Sequence, residues 1–133
     1  MFSFLIISNI DDISVNVYQA FSKIGVPEKQ MAGRFVVEDL NGMKDGWIAF
    51  QPIENTQYDY EIEELEEIKK KIANPSFYLI EGRNGTVNFS NRFIQEFNPS
   101  GNVLIDNDHG MIVGLMEVKK RIESGEDWLH LSS

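Results

Sequence analysis

Apolar and polar positions change period several times along the chain, and each period predicts an element. Phe2 to Ser8 is a short apolar run with adjacent Ile6 and Ile7, the length of a buried strand. From Ile13 the apolar positions Ile13, Val17, Phe21 and Ile24 fall at spacings of four, four and three, one stripe along a helix. Asp11 or Asp12 is placed to cap its start, and Gly25 and Pro27 to end it. Residues 34–40 and 47–53 read as two strands around the turn-rich Asn41-Gly42-Met43-Lys44-Asp45-Gly46, which predicts a hairpin. Residues 60–73 form the clearest helix, with Ile62, Leu65, Ile68 and Ile72 inward and Pro75 as its stop. Glu61, Glu63, Glu64, Glu66 and Glu67 crowd its first half and Lys69, Lys70 and Lys71 its last turn, an order that compensates the helix dipole at both ends.

Residues 77–82 are a fourth strand, and Arg83-Asn84-Gly85 reads as a hairpin turn with 86–89 pairing back. Ser90 or Asn91 is placed to cap a short helix carrying Phe93 and Phe97. Pro99-Ser100-Gly101 breaks the chain before a strand over 102–105. The turn Asp106-Asn107-Asp108-His109-Gly110 then leads to a return strand over 111–113. A last helix over 115–124 turns Leu115, Val118 and Ile122 inward and stops at Gly125. The first 82 residues follow a β-α-β-β-α-β order, that of a ferredoxin-like unit. The expected class is α+β, with a mostly antiparallel sheet and about four helices. No repeat or flexible linker divides the sequence, so residues 1–133 are expected to form one domain.

Composition narrows the chemistry. Nine Phe, four Tyr and two Trp in a 42% hydrophobic chain suffice for one core. The absence of Cys removes disulfides, thiolate nucleophiles and zinc–thiolate sites together, in keeping with a cytoplasmic protein. The N-terminal apolar run has no basic flank and falls far short of the ~20 residues of a membrane span, so neither export nor a membrane is expected. Twelve Lys and Arg against 21 Asp and Glu leave a net charge of −9. Such a field disfavours nucleic acid and favours basic partners.

The densest cluster of candidate chemistry is Asp106-Asn107-Asp108-His109-Gly110. Counted as a calcium loop from Asp106, it has Glu117 at the twelfth position but Met111 where the turn glycine belongs, and the match fails. A transition-metal site from Asp106, Asp108 and His109 needs a further ligand, and His130 is the only other imidazole. The plain alternative is a polar turn in which Asp and Asn bond their own backbone and Gly takes positive φ. The chain has no glycine-rich phosphate loop, no His-Glu-x-x-His and no Gly-x-Ser-x-Gly elbow. The expectation is a protein without catalysis and without metal or cofactor. A small metal- or carboxylate-dependent hydrolase using Asp106, Asp108 and His109 stays open beside it, as does a regulatory scaffold domain. Trp47 is expected in the core, and Trp128 is expected to fold back as an anchor.

From Phe77-Tyr78-Leu79-Ile80-Glu81-Gly82 through Val103-Leu104-Ile105-Asp106-Asn107-Asp108-His109-Gly110 to Gly125-Glu126-Asp127-Trp128-Leu129, the chain resembles small immunity proteins of bacterial polymorphic toxin systems, including the contact-dependent growth-inhibition type. The resemblance spans about residues 77–129. It implies a cytoplasmic protein that binds and neutralises a cognate toxin domain, commonly a basic nuclease, without catalysis of its own. The contact residues expected on this basis are Asp106, Asp108, His109 and Trp128, backed by Glu63, Glu64 and Glu67.

Overall fold

In the computed structural model, which describes residues 1–54 and 59–132, seven strands form one antiparallel sheet and four α-helices pack on its two faces. The elements are β1 (Phe2–Ser8), α1 (Ile13–Ile24), β2 (Glu28–Lys29), β3 (Phe35–Glu38), β4 (Trp47–Ile53), α2 (Ile62–Lys71), β5 (Ser76–Arg83), α3 (Phe89–Glu96), β6 (Val103–Asp106), β7 (Ile112–Gly114) and α4 (Leu115–Glu123). The sheet order is β2-β3-β4-β5-β1-β6-β7. The α+β class, the antiparallel sheet and the four helices agree with the sequence pattern.

The order of elements over residues 1–83 is β-α-β-β-β-α-β, which departs from the expected ferredoxin-like order by the two-residue β2, and the layout of the strands is not ferredoxin-like either. In a split β-α-β unit the helix crosses a strand inserted between the two it joins. Here α2 joins β4 to β5, which are direct neighbours, paired from Trp47↔Arg83 to Ile53↔Phe77. The first strand sits beyond β5, paired with it from Phe2↔Gly82 to Ser8↔Ser76.

One face of the sheet carries the main core. The register aligns Phe35, Phe50, Ile80 and Phe4 in a row across four strands. Above it lie Val17 and Phe21 of α1, Phe93 of α3 and Val118 of α4, all fully buried. The rings meet edge-on or stacked, with Phe21–Phe93 centroids 5.5 Å apart and Phe35–Phe50 4.8 Å apart, separations at which aromatic pairs attract beyond their burial. The opposite face holds a second, smaller cluster in which Ile68 and Ile72 of the α2 segment cover Ile7, Phe77 and Leu104. Adjacent Ile6 and Ile7 are both buried because β1 is covered on both faces.

Several local expectations are corrected. Asp12 occupies the position before α1 but has φ 56 and makes no side-chain cap bond. Ile62 is 73% exposed and outside the buried stripe of α2, which begins with half-buried Leu65 and continues through Ile68 and Ile72. Residues 86–89 form no strand. The Asn84 amide bonds the Ser90 backbone and hydroxyl at 3.1 and 2.8 Å, which winds the loop onto the start of α3. Gly85 serves close approach, since a Cβ there would collide with the Asp45 carbonyl oxygen. The α3 cap is neither Ser90 nor Asn91 but Asn88, whose side chain accepts the Asn91 N–H at 3.1 Å. Trp47 is half-buried at the end of β4 rather than in the core.

Candidate functional site

The β6–β7 hairpin turn is built from its side chains. Asn107 follows Val103 and Ile105 at a spacing of two, so it falls on the core side of the strand and is fully buried. Its Oδ1 accepts the backbone N–H groups of His109 and Met111 at 2.9 and 3.1 Å. Its Nδ2 donates to the carbonyls of Trp128 and Leu131 at 2.8 and 2.7 Å. One amide therefore closes the turn and fastens the C-terminal segment to it.

Asp106 falls on the opposite face, in phase with Leu104. Its Oδ1 accepts the Asp108 N–H at 2.9 Å and its Oδ2 accepts the Tyr60 hydroxyl at 2.6 Å. Burial, the hydrogen bond to Asp106, and the charges of Asp106, Glu64 and Asp108 push the Tyr60 pKa well above the ordinary tyrosine range. The turn itself takes left-handed backbone at Asp108 (φ 63) and Gly110 (φ 97).

The seven side chains expected to meet a partner divide into three groups. Asp106 is 9% exposed and already engaged by Tyr60 and its own turn. Trp128 is 1% exposed, edge-on to Phe4 at 5.0 Å, and donates its Nε1–H to Asn91 Oδ1 at 2.7 Å. It is a packing anchor with no free surface, and its place among the contact residues falls away. Asp108, His109, Glu63, Glu64 and Glu67 are exposed.

Of the α2 carboxylates, Glu64 and Glu67 reach the turn. They line a groove of ≈ 210 Å³ with Ile68, Lys71, Leu104, Gly110 and Ile112. Glu64 also closes a capping box with Glu61. Glu67 pairs with Lys70 at 2.9 Å, and that contact lowers its carboxyl pKa. Glu63 lies on the same helix outside this lining. His109 stands beside His130, ring centroids 5.2 Å apart, and His130 Nδ1 lies 2.7 Å from Asp127 Oδ2. Among the described residues no three His, Asp or Glu side chains are grouped to hold a metal ion. The metal set built on Asp106, Asp108 and His109 is therefore not assembled.

No protein-family model, curated protein or solved structure matches the chain. The reading of the site thus rests on its geometry.

The polar turn in which Asp and Asn bond their own backbone is what the structure shows, while the Tyr60 bond to Asp106 and the hold of Asn107 on the C-terminal segment are the two features of the site that sequence reasoning missed. Asn107 carried a signal, because it continues the inward phase of Val103 and Ile105. Tyr60 carried none, since its contact with Asp106 joins positions 46 residues apart. Among the described residues no helix is long and apolar enough to cross a membrane.

Proposed function

We propose that this protein is an immunity-type inhibitor that binds a basic toxin domain and neutralises it by contact, without catalysis of its own. The observation that carries the reading is the convergence of separate carboxylates on one end of one sheet face. Glu64 and Glu67 come from α2 and Asp106 and Asp108 from the β6–β7 turn, all around Tyr60 and the adjoining groove. The net charge of −9 extends that local field over the whole chain. A nuclease domain binds a polyanion and carries a cationic surface to do so, and an acidic surface competes for that cationic surface.

Within this reading Asp108, Glu64 and Glu67 meet cations of the toxin, with His109 and Glu63 at the margin. Asp106 and Trp128 hold the surface in shape. The test is co-expression with the toxin-domain gene expected immediately upstream. Restored growth together with a co-purifying complex supports neutralisation. Unchanged killing, or turnover of a substrate by the purified chain alone, sinks it.

A further inference from the structure

The two edges of the sheet differ. At one end β2 is two residues long and both, Glu28 and Lys29, are charged and exposed, a usual defence against added strands. At the other end β7 reads Ile112-Val113-Gly114, without a charge, and among the described residues it pairs only with β6. No strand among the described residues pairs with its outer side. The Asn107 N–H donates to the Met111 carbonyl, so Asn107/Met111 is a hydrogen-bonded pair of the antiparallel ladder. Alternation makes Ile105/Val113 the next such pair and aims both main-chain groups of Ile112 and the N–H of Gly114 away from β6, while the Gly114 carbonyl takes the first bond of α4.

Beside this edge runs a trough. The groove holding Glu64, Glu67 and Gly110 shares Lys71 and Leu104 with a second groove of ≈ 590 Å³, which continues past Ile72 and Gly114 to exposed Met116. The shared residues set the two grooves side by side along α2, one against the β6–β7 hairpin and the other against residues 99–104 and the start of α4. Carboxylates stand at the turn end of the trough, Lys71 and Leu104 at its middle, and Ile72, Leu115 and Met116 beyond them.

We infer that β7 and this trough are the docking surface for an extended segment of a basic partner protein. The segment adds as a strand to the free edge of β7 and lays apolar side chains into the trough. Lys or Arg side chains meet Glu64 and Glu67 at the turn end. Main-chain pairing supplies affinity, while alternate side chains supply specificity. This deepens the proposed function by naming the mode of contact, and it rests on that reading for the partner's charge.

Gly114 provides a selective test. Its φ is −64, the value proline imposes, a Cβ there has nothing within 4 Å, and its N–H faces away from β6. Gly114→Pro thus removes an outward donor and obstructs the edge while leaving the β6–β7 ladder intact. A random dodecapeptide library displayed on phage is panned on the intact chain. The enriched peptides are expected to alternate apolar residues and carry Lys or Arg toward one end. A synthetic copy of the tightest peptide should bind Gly114→Pro at least tenfold more weakly than wild type. Glu64→Lys/Glu67→Lys should weaken it likewise, and amide exchange at Ile112 and Gly114 of the wild type should slow on binding.

No enrichment, equal affinity for Gly114→Pro, slowed exchange confined to another surface, or concentration-dependent pairing of two copies through β7 each overturns the proposal. Rescue from the toxin by wild type and Gly114→Pro alike would leave the inhibitor reading standing and remove this docking mode. Peptide binding at β7 without any rescue would do the reverse.

Discussion

Asn107 shows how much a single buried amide can organise. Its two acceptor and two donor bonds satisfy four backbone groups, two in its own turn and two in the C-terminal segment that begins 21 residues after it. Asn107→Ala leaves those four groups short of partners, and unmet buried polar groups cost about 1–3 kcal/mol each. A loss of at least ~3 kcal/mol is expected in urea unfolding. A loss below ~1 kcal/mol would mean that water replaces the amide and that the tail is not held this way. Asn107→Asp keeps both acceptors but sets a carboxylate against the Trp128 and Leu131 carbonyls, so it should be no better tolerated than alanine at neutral pH. Tyr60 gives a prediction in pH. Its pKa in the folded chain lies above the value near ~10 of an unfolded tyrosine, chiefly through burial and then through Asp106. The folded state holds that proton more tightly, so the contribution is complete below about pH 10 and is lost as pH rises beyond it. The gap in thermal stability between wild type and Tyr60→Phe should therefore hold constant below about pH 10 and change only above it, in the direction of lost wild-type stability. Parallel curves would show that the hydroxyl is not held as the geometry places it.

At the level of elements, period and burial agree in most places and part at instructive ones. Strand β1, helix α1 with its stripe of Ile13, Val17 and Phe21, the β3–β4 hairpin and helix α4 were all legible, because each is set by local alternation of apolar and polar positions. What local pattern lacks is the partner. Ile62 continues the spacing of Leu65, Ile68 and Ile72, yet it extends past the ground that Ile7, Phe77 and Leu104 provide and stays in water. The difference is measurable. Ile68→Ala is expected to cost about 2–4 kcal/mol, since it opens a cavity between α2 and the sheet. Ile62→Ala should stay within about 0.5 kcal/mol. Equal costs would mean that α2 is rotated about its axis. The segment after β5 failed for a different reason: Arg83-Asn84-Gly85 has the composition of a tight turn, but Asn84 finds Ser90 and Gly85 finds Asp45, contacts beyond the reach of a turn rule.

For the molecule as a whole, the α+β class could be read from the sequence and the strand order could not. An amphipathic helix such as α2 fixes which of its sides is buried, not which face of the sheet buries it. The paired burial of Ile6 and Ile7 was the one trace that both faces of β1 are covered. Charge works over the longer range. With −9 on 133 residues and carboxylates gathered beside the β6–β7 turn, attraction to a cationic partner acts before contact and is screened by salt. Raising salt from 0.1 to 1 M shortens the screening length from about 10 to about 3 Å. Under the proposed function, association with a toxin domain should then slow by about tenfold or more, while dissociation, which the proposed docking mode assigns to main-chain pairing and apolar contact, should change far less. Glu64→Lys/Glu67→Lys should flatten that salt dependence, and Gly114→Pro should leave it intact while speeding dissociation. Stopped-flow association and dissociation rates for the three proteins separate the two contributions. An association rate indifferent to salt would remove the acidic surface from the account of binding, even if the complex itself were tight.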